Sequence, residues 1–165
     1  EERRSSTISL FNSSFPEVFT FSQLGGETQK VAEWIKLQIS KGIKPSEIGI
    51  FVRNNKEFSR VRSAISLTDE KATKITEKFD DVRDSIAYGT MHLAKGLEFK
   101  SVVVMACDED ILPDKDRLQR VTDASDLEEV YNTERHLLYV AVTRARENVL
   151  ITGVKPGSEF LEDLV

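Results

Sequence analysis

Hydrophobic positions along this chain change repeatedly between two spacings. Short runs are apolar or alternate with polar residues, which predicts strands, whereas longer segments repeat apolar residues at helical spacing. In order, the pattern predicts a strand at 17–21, a helix at 27–42, a strand at 48–52, a helix at 56–65, strands at 85–91 and 101–107, a helix at 126–145, a strand at 148–152 and a terminal helix capped by Ser158. The charged stretches 67–82 and 108–126 lack strong periodicity and are interpreted mainly as loops. This alternation predicts an α/β fold, a doubly wound, mostly parallel sheet with helices on both faces.

Length and composition are those of one globular domain spanning residues 1–165. The chain has 165 residues and a mass of 18.7 kDa, with 39% hydrophobic and 31% charged residues, so disorder is predicted only at the ends, including residues 1–14, and in one loop. The apolar runs are too short to cross a bilayer and no signal peptide is visible, so we expect no membrane partner and a cytoplasmic location. A net charge of −5 predicts that any nucleic acid would bind a local patch.

Residues 90–99, Thr-Met-His-Leu-Ala-Lys-Gly-Leu-Glu-Phe, place polar chemistry between two apolar strands. Ligands collect at the carboxyl ends of parallel strands, where Thr90 and His92 fall, and alternation is expected to put both on one face. A hydroxyl and an imidazole can each reach a phosphate oxygen of a single strand, and Gly96 lets a backbone come close. The segment therefore predicts a DNA-facing lip. A core histidine and a solvated lysine at Lys95 are the alternatives.

The helix predicted at 126–145 carries a charged residue in line with its apolar stripe. Leu137, Val140 and Ala141 repeat at helical spacing, and the next member of the series is Arg144. Burying a guanidinium is costly unless an anion meets it, so we expect a negative ligand there. A cation favoured by the helix C-terminus is the alternative, and it accounts well for Arg146.

Two segments, 90–99 and 134–146, resemble the fifth and sixth conserved motifs of the UvrD/Rep-type superfamily one DNA helicases, in their second RecA-like motor domain. Ile-Gly-Ile-Phe-Val-Arg-Asn-Asn at 48–55 is similar to the fourth motif, and residues 158–164 to the segment that closes that domain. The resemblance covers most of the chain from about Gly26 onward and implies a RecA-like fold.

The resemblance also implies roles for individual residues. The positions matching Thr90 and His92 lie beside single-stranded DNA, and the position matching Glu98 accepts a hydrogen bond from the ribose of the nucleotide. The arginines matching Arg53 and Arg144 point across an interdomain cleft at the terminal phosphate of ATP, with the chemistry of arginine fingers.

Three further residues are assigned less directly. Gly96 is grouped with the nucleotide-binding residues and Lys95 with the DNA-binding ones. Tyr139, one turn from Arg135 on the same helix, is expected to orient the loop or the DNA, and a half-buried structural tyrosine is the alternative.

The function implied is that of the second motor domain of an ATP-dependent 3′-to-5′ DNA helicase. ATP and Mg²⁺ would bind only together with a missing first RecA-like domain, and single-stranded DNA would be the other partner, so the chain alone is predicted to be inactive. No Gly-x-x-x-x-Gly-Lys-Ser/Thr phosphate loop occurs in the sequence. Two alternatives stay open, a non-catalytic RecA-like interaction module and the motor segment of a helicase–nuclease.

Some positions depart from the family pattern. Val52 stands where a tyrosine usually precedes the fourth-motif arginine, which puts adenine stacking in doubt, and His136 replaces a common arginine of the sixth motif. The gap at 54–89 is too short for the large accessory subdomain that many relatives insert there.

The acidic run Asp108-Glu109-Asp110 after an apolar strand looks like a magnesium-holding Walker B. Because the phosphate loop is missing, we interpret the run as a solvated loop, with a weak cation site as the alternative and no metal site predicted. Cys107, the single cysteine, is interpreted as a buried structural residue.

Overall fold

The computed structural model describes residues 15–78 and 84–164, and within them the chain forms six strands and four α-helices. The strands are β1 (Glu17–Phe21), β2 (Ile48–Val52), β3 (Lys71–Lys74), β4 (Ser85–Thr90), β5 (Phe99–Val104) and β6 (Ala145–Val154). The helices are α1 (Leu24–Ser40), α2 (Phe58–Ser66), α3 (Lys115–Gln119) and α4 (Ala124–Val142). Short 3₁₀ turns occupy Pro45–Glu47, Asn55–Glu57, Met91–Leu93 and Glu159–Leu164. Residues 1–14, for which disorder is predicted, lie outside the described residues.

The described strands form one sheet in the order β1-β6-β5-β2-β4-β3, and each neighbouring pair in it is parallel. β2 lies between β5 and β4, with Phe51 beside Val104 and Val52 beside Thr90. The predicted doubly wound, mostly parallel sheet is therefore confirmed. Since the strands run in one direction, all of them begin at one end of the sheet, here called the amino end, and finish at the other, the carboxyl end.

Helices cover both faces of the sheet because the central strands alternate between two apolar cores. Ile48, Ile50 and Val52 of β2 join the core beneath α1 and α2, whereas Phe51 points into the core beneath α4. β5 is buried on both faces in the same way along 101–104, which explains its apolar run at 102–104.

Two stretches predicted mainly as loops contain regular structure. The stretch 67–82 includes β3, which pairs with β4 at the margin of the sheet, and the stretch 108–126 includes α3, whose N-terminus is capped by Asp114. Neither element has an apolar periodicity of its own. β3 consists of Lys-Ala-Thr-Lys, and α3 has only five residues.

Several boundaries also differ from the predictions. α4 begins at Ala124, two residues before the predicted start, because Asp123 is its N-cap and accepts a hydrogen bond on its carboxylate from the Asp126 N–H at 2.8 Å. The same helix ends at Val142, so Arg144 lies beyond it, and β6 is longer than predicted. Among the described residues, no helix is both long and apolar enough to cross a membrane.

Candidate functional sites at the two ends of the sheet

A buried ion cluster lies at the carboxyl end of the sheet around Glu134 of α4. The carboxylate of Glu134 is fully buried and accepts hydrogen bonds from Arg53 Nε at 2.8 Å and Arg53 Nη2 at 2.9 Å. It also accepts from the backbone N–H of Asp114 at 2.6 Å and from Nη1 of Arg117 at 2.9 Å. Burial alone would raise the pKa of Glu134, but these donors more than offset it, and the pKa lies below its ordinary value. One carboxylate thus joins the end of β2, the loop before α3, and α4.

Thr90 and His92 lie beside this cluster. Thr90 is the last residue of β4 and pairs with Val52, so Arg53 follows on the neighbouring strand. Met91–Leu93 form a 3₁₀ turn that packs against α4, with Met91 buried and His92 exposed. Partial burial and the positive charge of Arg53 lower the pKa of His92. The alternation expected at 90–92 stops at Thr90, where the 3₁₀ turn begins, and the side chain of His92 is exposed.

At the amino end, a hollow of about 430 Å³ opens beside the start of β5. Gly96, Glu98 and Arg146 line it together with Ser46 and Glu47 of the 3₁₀ turn before β2. Gly96 has a φ of +82°, a conformation that favours glycine, and a Cβ built on it would meet nothing within 4 Å. Glu98 is 68% exposed and pairs loosely with Arg146, at 3.6 Å from Oε1 to Nε. The hollow therefore offers a free backbone surface and an accessible carboxylate.

Arg144 also lies at the amino end, between α4 and β6. Its Nε donates to the carbonyl of Val140 at 3.0 Å and its Nη2 contacts Oγ1 of Thr143 at 3.4 Å. The side chain thus folds back on the C-terminus of α4, where the helix dipole favours a cation. The buried stripe of α4 consists of Glu134, Leu138, Ala141 and Val142, so Arg144 flanks it and lies beyond the helix end. The expectation that Arg144 extends a buried face is wrong, because the helix stops two residues earlier.

The two predicted arginine fingers lie at opposite ends of the sheet. Phe51 of β2 lies beside Val104 of β5, which in turn lies beside Ile151 of β6. Arg53, two residues after Phe51, is therefore level with residue 153 of β6. Nine residues of strand separate that level from Arg144, which is roughly 30 Å at about 3.3 Å per residue. Arg53 is also 6% exposed and bound to Glu134. The prediction that both arginines meet one phosphate is therefore wrong, because the parallel sheet separates them and a buried carboxylate already holds Arg53.

The remaining predicted residues are distributed over the surface. Lys95 is exposed on the segment that joins β4 to β5, and Tyr139 is 42% exposed on α4. Arg135, one turn before Tyr139, stacks on Phe160 with 4.9 Å from Cζ to the ring centroid and pairs with Asp163 at 3.4 Å. Arg135 thus ties α4 to the terminal 3₁₀ turn.

Asp108 belongs to a second buried network, on the other face of the carboxyl end. Its carboxylate accepts hydrogen bonds from both terminal nitrogens of Arg60, at 3.0 and 3.1 Å, and from the N–H of Val154 at 2.7 Å. Arg60 also reaches Glu27, which is fully buried. The interpretation of a solvated acidic loop is wrong for Asp108, although Glu109 and Asp110 are exposed. The carboxylate of Asp108, which a Walker B motif would use to hold a metal, is instead paired with the guanidinium of Arg60.

Cys107 is fully buried, and burial raises the pKa of its thiol well above the ordinary value. This agrees with its interpretation as a structural residue, since a reactive cysteine needs an accessible thiolate.

Glu134 was not identified from the sequence as a site residue. The available signal was its position, because it precedes Leu138 and Ala141 by four and seven residues and therefore lies on the buried stripe of α4. A carboxylate on such a stripe implies a cationic partner, by the argument applied to Arg144. The partner, Arg53, is 81 residues away in sequence, so no local pattern reveals the pair.

Comparison with known proteins agrees with the fold and with the two motifs at 90–99 and 134–146. The model of the UvrD-like helicase C-terminal domain family matches residues 57–155, a range that excludes Arg53. A probable DNA helicase II homolog from Mycoplasma capricolum is 35% identical over 104 residues, 61% of this chain and 13% of the relative. The ATP-dependent DNA helicase PcrA of Bacillus subtilis is 37% identical over 78 residues, 47% of this chain and 10% of that protein.

Among solved structures, the C-terminal domain of a possible DNA helicase from Lactobacillus plantarum superposes with a TM-score of 0.69 at 18% identity, over 100% of this chain and 91% of the other. That likeness shows the RecA-like fold. The chain spans about a tenth of the length of the curated relatives, 13% and 10% for the two described. Because the family match covers more than half of the sequence, the chain belongs to the family of UvrD-like helicase C-terminal domains.

Proposed function

We propose that this chain is the second motor domain of an ATP-dependent 3′-to-5′ DNA helicase. It would act with a first RecA-like domain that carries the phosphate loop and the Mg²⁺ ligands. The observation that carries the proposal is the course of the segment 91–98, which leaves the carboxyl end of β4 and reaches the amino end of β5. This single connection places Thr90 and His92 at one end of the sheet and Gly96 and Glu98 at the other. The polarity rests on the family resemblance.

The amino end would contact the nucleotide. Glu98 is exposed and would accept a hydrogen bond from a ribose hydroxyl, while Gly96 lets the backbone approach the ligand. Arg144 is held by one carbonyl and one hydroxyl and by no carboxylate among the described residues, so its guanidinium can turn toward a phosphate without breaking an ion pair. When ATP and Mg²⁺ are bound, the metal neutralises charge on the phosphates, and Arg144 would stabilise the oxygens of the transferring phosphoryl group.

The carboxyl end would contact single-stranded DNA. Thr90 is partly exposed and His92 is exposed above the Glu134 cluster, so a hydroxyl and an imidazole face solvent side by side. Lys95 is exposed further along the same segment, next to Gly96 and toward the amino end, and would add a cation for a backbone phosphate. Tyr139 offers an aromatic face on the same helix as Glu134, further along toward the amino end.

The test is ATP hydrolysis by the protein that carries this chain together with its first motor domain. Arg144→Ala should lower kcat about a thousandfold, because an arginine finger stabilises only the transition state, while the affinity for single-stranded DNA stays within about twofold. Arg62→Ala, an exposed arginine on α2 away from both ends assigned to ligands, is the matched control and should keep kcat within a few fold.

A kcat for Arg144→Ala within a few fold of the parent would contradict the assigned role. If this domain binds its partner protein with an affinity that changes with neither ATP nor single-stranded DNA, a non-catalytic interaction module would be favoured instead.

A further inference from the structure

The cluster around Glu134 lies directly beneath the proposed DNA-facing residues, yet none of its members is needed to touch DNA. Arg53 continues the strand next to Thr90, and the 3₁₀ turn that carries His92 packs against α4. The four donors to Glu134 come from two segments that are far apart in sequence, the end of β2 at Arg53 and the segment 114–117 at the start of α3. The geometry of the lip therefore depends on how these segments are held together.

We propose that Glu134 is a positioning residue for DNA binding, which fixes Arg53 and the 114–117 segment and thereby sets the place of Thr90 and His92. The inference rests on the proposed function of the carboxyl end. It assigns a role to a buried residue that neither touches the DNA nor reaches the nucleotide.

The bidentate contact explains why a carboxylate is required at this position. Two parallel hydrogen bonds from Nε and Nη2 of Arg53 fix the plane of the guanidinium, which a single contact would leave free to rotate. The backbone N–H of Asp114 and the side chain of Arg117 occupy the remaining acceptor sites of the same two oxygens. An amide in place of the carboxylate would keep one acceptor and present two donors to a ring of donors, so the arrangement would loosen.

The position of Glu134 on α4 separates its effect from that of the nucleotide end. Glu134 precedes Val142, the last residue of the helix, by eight residues, which is about 12 Å of helix at about 1.5 Å per residue. Arg144 lies beyond that end and makes no contact with the cluster among the described residues. A change at Glu134 is therefore expected to alter DNA binding before it alters the chemistry of ATP.

The experiment measures DNA-stimulated ATP hydrolysis in the protein that carries this chain and its first motor domain, with oligothymidylate as the probe. Glu134→Gln should raise the oligothymidylate concentration for half-maximal stimulation about tenfold or more, while the KM for ATP stays within about twofold. Glu134→Asp, which keeps the charge but shortens the reach, should recover part of the affinity. Glu129→Gln, an exposed carboxylate on the same helix, is the matched control and should leave both constants unchanged.

A purely structural role predicts a different result. If Glu134→Gln lowers the melting temperature but leaves the half-saturating oligothymidylate concentration unchanged, or raises it in proportion to the KM for ATP, the inference is overturned. Where Glu134→Gln does not fold, Arg117→Met takes its place, since Arg117 is one-third exposed and its loss removes a single donor. A severalfold rise in half-saturation with an unchanged KM for ATP supports the inference, and no rise overturns it.

The variant His92→Ala distinguishes a failure of this inference from a failure of the proposed function. If His92→Ala leaves half-saturation unchanged, the carboxyl end does not bind DNA and both proposals fail. If His92→Ala raises it and Glu134→Gln does not, the DNA-facing assignment stands and the positioning role of Glu134 alone is refuted.

Discussion

At the scale of single residues, each charged side chain that is buried in the described part of the chain has a partner of opposite charge. Glu134, Arg53 and Arg60 are each buried or nearly so, and each forms at least one hydrogen-bonded ion pair. Such pairs are not efficient sources of stability, because desolvation consumes much of the attraction. The ion pairs instead fix the positions of their side chains, because separating the partners would leave an uncompensated charge in the core.

The acid dependence of stability should reveal the Glu134 cluster. The pKa of Glu134 lies below its ordinary value of 4.5, so its contribution is fully present above about pH 4.5 and is lost as the pH falls through the folded-state pKa. Glu134→Gln should lower the free energy of unfolding at pH 7 by roughly 3 to 5 kcal/mol, and the difference from the parent should shrink below about pH 4.5. Urea unfolding of the purified chain over a pH series measures both effects.

The quantity to compare is the difference in free energy of unfolding between variant and parent, because Glu57 changes the stability of both proteins with pH in the opposite direction to Glu134. Burial raises the pKa of Glu57, which its neighbour Arg60 only partly offsets, so protonation of Glu57 favours the folded state as the pH falls. Glu98→Gln, at an exposed position, is the control and should change neither the stability nor its pH dependence. A gap between Glu134→Gln and the parent that stays constant down to pH 3 would contradict the ionised buried pair.

At this scale, the sequence can indicate candidate residues that share a local motif, but it cannot indicate a partner that is distant along the chain. Thr90, His92, Gly96 and Glu98 lie within one short segment, and the structure puts them on accessible surface at the two ends of the sheet. The environment of Arg53 depends on Glu134, which only the fold brings near.

At the scale of elements, strands that are buried on both faces were the easiest to predict. β2 is apolar throughout and β5 is apolar at 102–104, whereas β3 has two lysines in four residues and owes its strand conformation to pairing with β4. α3 is too short to show a helical repeat. Local composition therefore predicted the elements whose apolar residues form the core. It missed β3 and α3, which have no apolar pattern of their own.

The close packing of β2 on β5 can be tested at Gly49. A Cβ built at Gly49 would lie 2.7 Å from the ring of Phe99, which is buried at the start of β5 beside the amino-end hollow. Gly49→Ala should destabilise the chain by about 1 to 3 kcal/mol, because the ring must move within a packed core. Thermal unfolding followed by circular dichroism measures the change.

Gly25→Ala provides the matched control for this substitution. Gly25 lies in the first turn of α1, and a Cβ there meets nothing within 4 Å, so alanine should stabilise the helix by up to about 1 kcal/mol. Equal effects of the two substitutions would show that backbone entropy, and not contact with Phe99, governs Gly49.

At the scale of the whole molecule, the parallel sheet separates the two proposed sites, one at each of its ends. The segment 91–98 begins beside the Glu134 cluster and ends at the hollow lined by Glu98, and α4 runs in the same direction, from Glu134 toward Arg144. Both elements thus join the end proposed to contact DNA to the end proposed to contact the nucleotide. This arrangement suits a motor domain in which nucleotide binding and DNA contact must be distinct but coupled.

Hydrogen exchange of the protein that carries this chain and its first motor domain tests that separation most directly. A non-hydrolysable ATP analogue should slow exchange at 96–98 and 143–146, at the amino end, whereas oligothymidylate should slow it at 90–92 and 114–117, at the carboxyl end. Protection of the same set of amides by both ligands, or protection at the ends opposite to those stated, would contradict the account.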